Sequence, residues 1–194
     1  MPDSPRHTSQ AAANLPPTNE GYGTKEYCDI QSRSESPIPR TSAHERQSEP
    51  PETNFDWFLS PSYLLPTFEA LTVERGKDAR ILMLGCGNSQ LGEVMYDAGW
   101  KNIVNVDYSA TLIATMAARH SDLRPEMKWL EMDVLDLQFE EGDFDLVVDK
   151  GTMDAMLTTK GDPWNPNEKD IKVCMSEVSE ALRVLQKRKG SKFV

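Results

Sequence analysis

The sequence predicts an α/β fold: a doubly wound, mostly parallel sheet with helices on both faces. Three observations predict it. From residue 80 onward, short apolar runs alternate with segments of helical periodicity. The first run ends in a glycine turn, "LGCGNS". The second, third and fourth runs end in aspartates: Asp107, Asp133 and Asp149. Alternation at this spacing implies right-handed crossovers between parallel strands. Ligands on such a sheet bind at the carboxyl ends of the strands, near the switch point beside the first.

The elements follow in order. Residues 1–50 hold seven of the thirteen prolines, with many Ser, Thr and Gln and no apolar periodicity. Residues 1–53 therefore read as a largely disordered segment, interrupted by the island "GYGTKEYCD". A folded domain is expected over 54–194. It opens with "FDWFLSPSYLLPTFEALTVE", in which Trp57, Phe58, Tyr63, Leu64, Phe68 and Leu71 recur at helical spacing. Pro61 and Pro66 are expected to break this stretch into short helical pieces. "ARILMLG" is the first strand, and the helix after it places Leu91, Val94, Met95 and Ala98 on one face. "NIVNVDYS" is the second strand. Its helix carries Leu112, Ile113 and Met116 on one face. "MKWLEMDV" alternates as a third strand, ending at Asp133. "FDLVVDKG" is a fourth, followed by a short helix around "TMDAMLTT". A long helix then starts with Asn165 as N-cap, Pro166 at N1 and Glu168 at N3. Its stripe is Ile171, Cys174, Met175, Val178, Ala181, Leu182 and Leu185. "GSKFV" opens a fifth strand.

Composition narrows the function. A net charge of −10 disfavours binding to nucleic acid or to an anionic membrane. No apolar stretch approaches the roughly 20 residues of a membrane span, and the N-terminus has no signal-peptide core, so a cytoplasmic location is expected. Cys28, Cys86 and Cys174 are odd in number and lack CxxC spacing, which argues against a disulfide framework or a metal site.

Gly85 and Gly87 end the first strand where backbone would approach a ligand. A dinucleotide fingerprint would place a further glycine at 90, where Gln90 stands. Asp107 follows Gly87 at the spacing from which an acid accepts hydrogen bonds from ribose hydroxyls. Asp133 can reach an adenine amino group, with the Val134 amide beside it, and Asp149 faces the same crevice. Each acid alone is more often a solvated turn residue or helix cap. Together they form an anionic crevice that repels phosphates and suits a cation, so S-adenosyl-L-methionine is favoured over a dinucleotide.

Taken together, "GYGTKEY", "FDWF", "ILMLGCGNSQLGEVMYDAG", "NIVNVDYS", "RPEMKWLEMDV" and "FDLVVDKGTMDAML…DPW" resemble the class I, seven-β-strand methyltransferases. They resemble in particular the branch containing the elongation factor 1-alpha lysine methyltransferases. The resemblance implies a Rossmann-like fold that uses S-adenosyl-L-methionine, and a protein substrate with a lysine acceptor, a translation elongation factor being one such protein. It implies that 20–29 forms part of a cofactor lid, and that the domain is C-terminally truncated, lacking the final strands. It implies that Gly85, Cys86, Gly87 and Asn88 line the methionine part of the cofactor. Asp107 and Tyr108 would hold the ribose and flank adenine, Asp133 and Val134 would address the adenine edge, and Asp149 and Lys150 would lie where the methyl group leaves. Asp149 and Asp154 are candidate catalytic carboxylates and Trp164 a candidate aromatic wall. The plainer roles are a solvated helix residue for Asp154 and packing beneath the long helix for Trp164. Two functions stay open at this point: methyl transfer, and a non-catalytic or partner-dependent module that binds cofactor without turnover. A nucleotide-dependent oxidoreductase is disfavoured by Gln90 and by the three acids.

Overall fold

The computed structural model describes Asp56, residues 58–157 and residues 165–194. The segment 1–53 with its lid motif, Trp57 and Trp164 lie outside the described residues. Five strands form one sheet in the order β3-β2-β1-β4-β5, every neighbouring pair parallel. They are β1 (Ile81–Leu84), β2 (Ile103–Asp107), β3 (Lys128–Glu131), β4 (Leu146–Asp149) and β5 (Lys192–Phe193). The helices are α1 (Pro61–Leu71), α2 (Leu91–Asp97), α3 (Ala110–His120), α4 (Thr152–Met156) and α5 (Glu168–Val184). The sheet reverses its order beside β1, so β1 and β4 diverge at their carboxyl ends and leave a crevice there.

Alternation along β1 builds two cores. Ile81 and Met83 face one side, with Phe68, Met95, Trp100 and Leu146. Leu82 and Leu84 face the other, with Val104, Val147, Ala181 and Val184. The central strands are buried on both faces, which explains their continuous apolar sequences. Among the described residues, no helix is long and apolar enough to cross a membrane.

Five local expectations are corrected. α1 is one helix of 11 residues, not short pieces. Pro61 sits in its first turn, where an amide has no partner to lose, and Pro66 strips a bond only from the first turn around Ser62, which is exposed to solvent. β3 ends at Glu131, so Asp133 stands two residues beyond the strand; its Oδ1 accepts from Leu135 N at 2.9 Å and closes a turn. The cap of α5 is Asn167, not Asn165: Asn167 Oδ1 accepts from Asp170 N at 2.9 Å and its Nδ2 returns a bond to Asp170 Oδ2 at 2.8 Å. That reciprocal pair outcompetes the alternative start two residues earlier. Finally, α5 buries only part of the predicted stripe, Ala181 and Leu185. Ile171, Met175 and Leu182 are exposed, while Glu177, Ala181 and Val184 are buried. The slim Ala181 and Val184 let the helix lie close against Leu82, Leu84 and Val147, and this turns the larger apolar side chains outward. A smaller rotation affects α2. Gly92 and Tyr96 are buried and Val94 is only half-buried, because the helix backbone at Gly92 presses on Asn105 and Met127.

Candidate functional site

The turn after β1 is shaped by two residues with left-handed backbone, Gly85 at φ 55° and Gly87 at φ 51°. They differ in what surrounds them. A Cβ on Gly85 would lie 2.2 Å from Thr152 Oγ1, whereas a Cβ on Gly87 would meet nothing within 4 Å. Thr152 crowds Gly85 because its hydroxyl donates to Leu84 O at 2.8 Å and Gly85 O at 3.2 Å, tying the start of α4 to the turn. Gly87, by contrast, opens into the crevice.

Asp107 holds the turn from the side of β2. It is buried, its Oδ2 accepts from Gly87 N at 3.1 Å, and its Oδ1 accepts from Ser109 N at 3.0 Å. Ser109 in turn caps α3 through Leu112 N. Cys86 N donates to Val106 O at 2.9 Å, and Cys86 is half-buried. Asn88 is 3 % exposed, and its Nδ2 donates to no described residue. A buried amide donor without an acceptor is costly, so this atom is suited to a ligand oxygen.

On the other side of the crevice, Asp149 caps α4. Its Oδ1 accepts from Thr152 N at 2.7 Å and its Oδ2 from Met153 N at 3.0 Å. Asp154 is exposed on the same short helix. Tyr108, just after β2, presents a partly exposed ring. Asp133 is exposed, and the Val134 side chain is buried in the core on the α5 face. The structure thus gathers Gly85, Cys86, Gly87, Asn88, Asp107 and Tyr108 at one turn and its flank. Asp149, Lys150 and Asp154 stand at the end of β4, and Asp133 and Val134 follow β3.

Three contributors escaped sequence reasoning. Thr152 carries no signal in the sequence beyond its place in a short helix. Asp56, in "FDWF", reaches the glycine turn: its carboxylate accepts from the Ser89 hydroxyl and from Gln90 N at 3.2 Å, and pairs with Lys150 Nζ at 3.1 Å. Both partners of that ion pair are largely buried, at 14 % and 15 % exposure. A shallow cleft beside these groups is lined by Gly85, Cys86, Ser89, Asn105, Val148 and Lys150 among others. The third, Glu177 on α5, is fully buried behind Asp149. For Asp56 and Glu177 the sequence offered an acid among apolar neighbours, a signal too common to single them out.

Comparison with known proteins gives concordant matches. Residues 81–184 match the family described as methyltransferase domain. The chain is 38 % identical over 141 residues to EEF1A lysine methyltransferase 4 of Mus musculus, covering 72 % of this chain and 52 % of that protein. It is 42 % identical over 106 residues to the Bos taurus protein of the same name, covering 55 % and 41 %. It is 36 % identical over 133 residues to the eEF1A lysine and N-terminal methyltransferase of Mus musculus, covering 69 % of this chain and 18 % of that protein. The chain thus spans about half the length, or less, of these relatives.

Proposed function

The chain belongs to the methyltransferase domain family, whose methyl donor is S-adenosyl-L-methionine, and from that premise we propose that it methylates a lysine side chain of a protein substrate. One arrangement supports the reading best. Carboxylates stand on both sides of the glycine turn, Asp107 and Asp149, while the neighbouring base Lys150 is neutralised by Asp56. A crevice of this charge suits a sulfonium and an incoming ammonium and opposes phosphate groups. Bound there, the cofactor supplies an electrophilic methyl group on a positively charged sulfur.

The residues present fit that group. Gly85, Cys86, Gly87 and Asn88 would line its amino-acid part, with the Asn88 Nδ2 as a donor already desolvated. Asp107 and Tyr108 would hold the ribose and flank adenine. The amides of Gly87 and Ser109 hold the Asp107 carboxylate beside the turn, one at each oxygen. Asp133 and Val134 would meet the adenine edge. The protein's remaining task is to align an amine lone pair and exclude water. A lysine arrives as an ammonium and must lose a proton before it can react. Asp149, pinned by two amides, would steer the ammonium, and the exposed Asp154 would pass the proton to solvent. Trp164 would wall the acceptor channel. The relatives' names carry eEF1A, so a translation elongation factor in the cytoplasm is the acceptor to try first.

The test pairs binding with turnover. Calorimetry of the 194-residue chain with S-adenosylhomocysteine should give one site. Transfer of labelled methyl from S-adenosylmethionine to purified eEF1A should then appear on lysine. Binding without label on any protein of a methylation-deficient lysate would overturn the activity, and absence of binding would overturn the site itself.

A further inference from the structure

α5 buries one carboxyl group completely. Glu177 is 0 % exposed, and neither of its oxygens accepts a hydrogen bond from a donor on any described residue. Its acidic neighbour is Asp149 at the end of β4. Asp149 already takes amides from Thr152 and Met153. An ionised Glu177 would lack every donor and face a second negative charge in a water-poor site, which is a costly arrangement. Protonation removes both penalties, because the carboxylic acid gains an O–H to give and Asp149 is the acceptor beside it. Burial, and then the charge of Asp149, push the Glu177 carboxyl up to about 8, so the proton is held at neutral pH.

We propose that Glu177 is a positioning residue for methyl transfer: as a carboxylic acid it donates to Asp149 and so fixes the corner of backbone between β4 and α4. The inference rests on the reading of that corner as the mouth of the cofactor site. The corner matters beyond Asp149 itself. Lys150 lies within it, paired to Asp56, and Thr152 reaches from it to the carbonyls of Leu84 and Gly85. One proton on α5 therefore supports both walls of the crevice. Asp149 faces Glu177 from β4. Cys174 lies one turn earlier on α5, its thiol pushed up by burial and by the charges of Glu177 and Asp170. α4 contributes Asp154, which is exposed.

The test uses the whole chain, S-adenosylhomocysteine as probe, and Glu177→Gln and Glu177→Leu as variants, titrated calorimetrically from pH 6.5 to 9. Glutamine keeps a donor toward Asp149 at every pH, and leucine keeps none. Wild-type affinity should fall about tenfold as pH passes through 8, the change one unit of pKa coupling implies. Glu177→Gln should match wild type at pH 6.5 within about twofold and lose the pH dependence. Glu177→Leu should bind several-fold more weakly at pH 6.5 and be equally flat. A glutamine variant that keeps the wild-type pH dependence would overturn the proposal, and so would a leucine variant that binds like wild type. If the leucine variant does not fold, the glutamine comparison decides alone. Absence of binding by wild type at pH 6.5 would overturn the functional reading instead, and the positioning role with it.

Discussion

Gly85→Ala and Gly87→Ala make the same chemical change two residues apart and should have opposite consequences. Both positions have left-handed backbone, at φ 55° and 51°. A residue with a Cβ pays about 1–2 kcal/mol for that conformation at either site. Gly85 carries a second cost. Its Cβ would lie 2.2, 2.6 and 2.9 Å from Oγ1, Cγ2 and Cβ of Thr152. Thr152 cannot swing aside freely, since its hydroxyl is bonded to Leu84 O and Gly85 O. Overpacking of this kind adds about 1–3 kcal/mol, so Gly85→Ala should cost about 2–5 kcal/mol in total. Gly87→Ala should cost about 1–2 kcal/mol but place a methyl group in the crevice and weaken S-adenosylhomocysteine binding at least tenfold. Urea unfolding, followed by the fluorescence of Trp100 and Trp129, measures the first quantity, and calorimetry the second. A double-mutant cycle with Thr152→Ala, which removes the two nearest atoms, should return a coupling of about 1–2 kcal/mol with Gly85→Ala and none with Gly87→Ala. Equal stability losses at the two glycines, or no coupling to Thr152, would refute the reasoning.

Other outcomes follow from the same contacts. Asp107→Ala leaves the amides of Gly87 and Ser109 without their acceptor, and should cost about 1–3 kcal/mol in urea unfolding while abolishing measurable S-adenosylhomocysteine binding. Asp56→Ala frees the charge of Lys150 beside the site. It should weaken S-adenosylmethionine, which is cationic at sulfur, more than S-adenosylhomocysteine in parallel titrations, with a stability loss of about 1–3 kcal/mol. Thermal unfolding without ligand should report Glu177 independently. Its carboxyl rises from 4.5 to about 8 on folding, so between these values the folded chain holds a proton that the unfolded chain has released. Stability should therefore fall as pH rises through that window and level off above it, and Glu177→Gln should lack this component.

What the sequence disclosed, and what it concealed, divides along a physical line. β1, β2 and β4 were legible because strands buried on both faces must be continuously apolar. The glycine turn and the acid after β2 were legible because their spacing is fixed by one strand–helix–strand unit. The rotation of α5 was not. Periodicity reports where apolar residues cluster, whereas close packing against the sheet selected the small Ala181 and Val184 and carried Glu177 inward with them. The start of α5 was ambiguous in sequence because Asn165 and Asn167 each have an acid three residues on, and only the bond formed to Asp170 separates them. Asp56 was hidden for a different reason. Its partners Ser89, Gln90 and Lys150 belong to other elements, and nothing local in "FDWF" announces a contact across the fold.

The all-parallel pairing also dictates an order of assembly. Ile81 meets Ile103 after a single crossover through α2, but meets Leu146 only once β2, α3 and β3 have been threaded past. Loop-closure entropy thus favours a nucleus containing β1, the glycine turn and β2, and postpones the docking of β4 and of the helix that follows it. The half of the crevice made by Gly87 and Asp107 can be complete while the half made by Asp149 and Glu177 is still unformed. Asp149 joins the crevice only when β4 docks on β1, the most non-local of the described strand pairings, and a nascent chain leaving the ribosome must also expose α5 before its site can close.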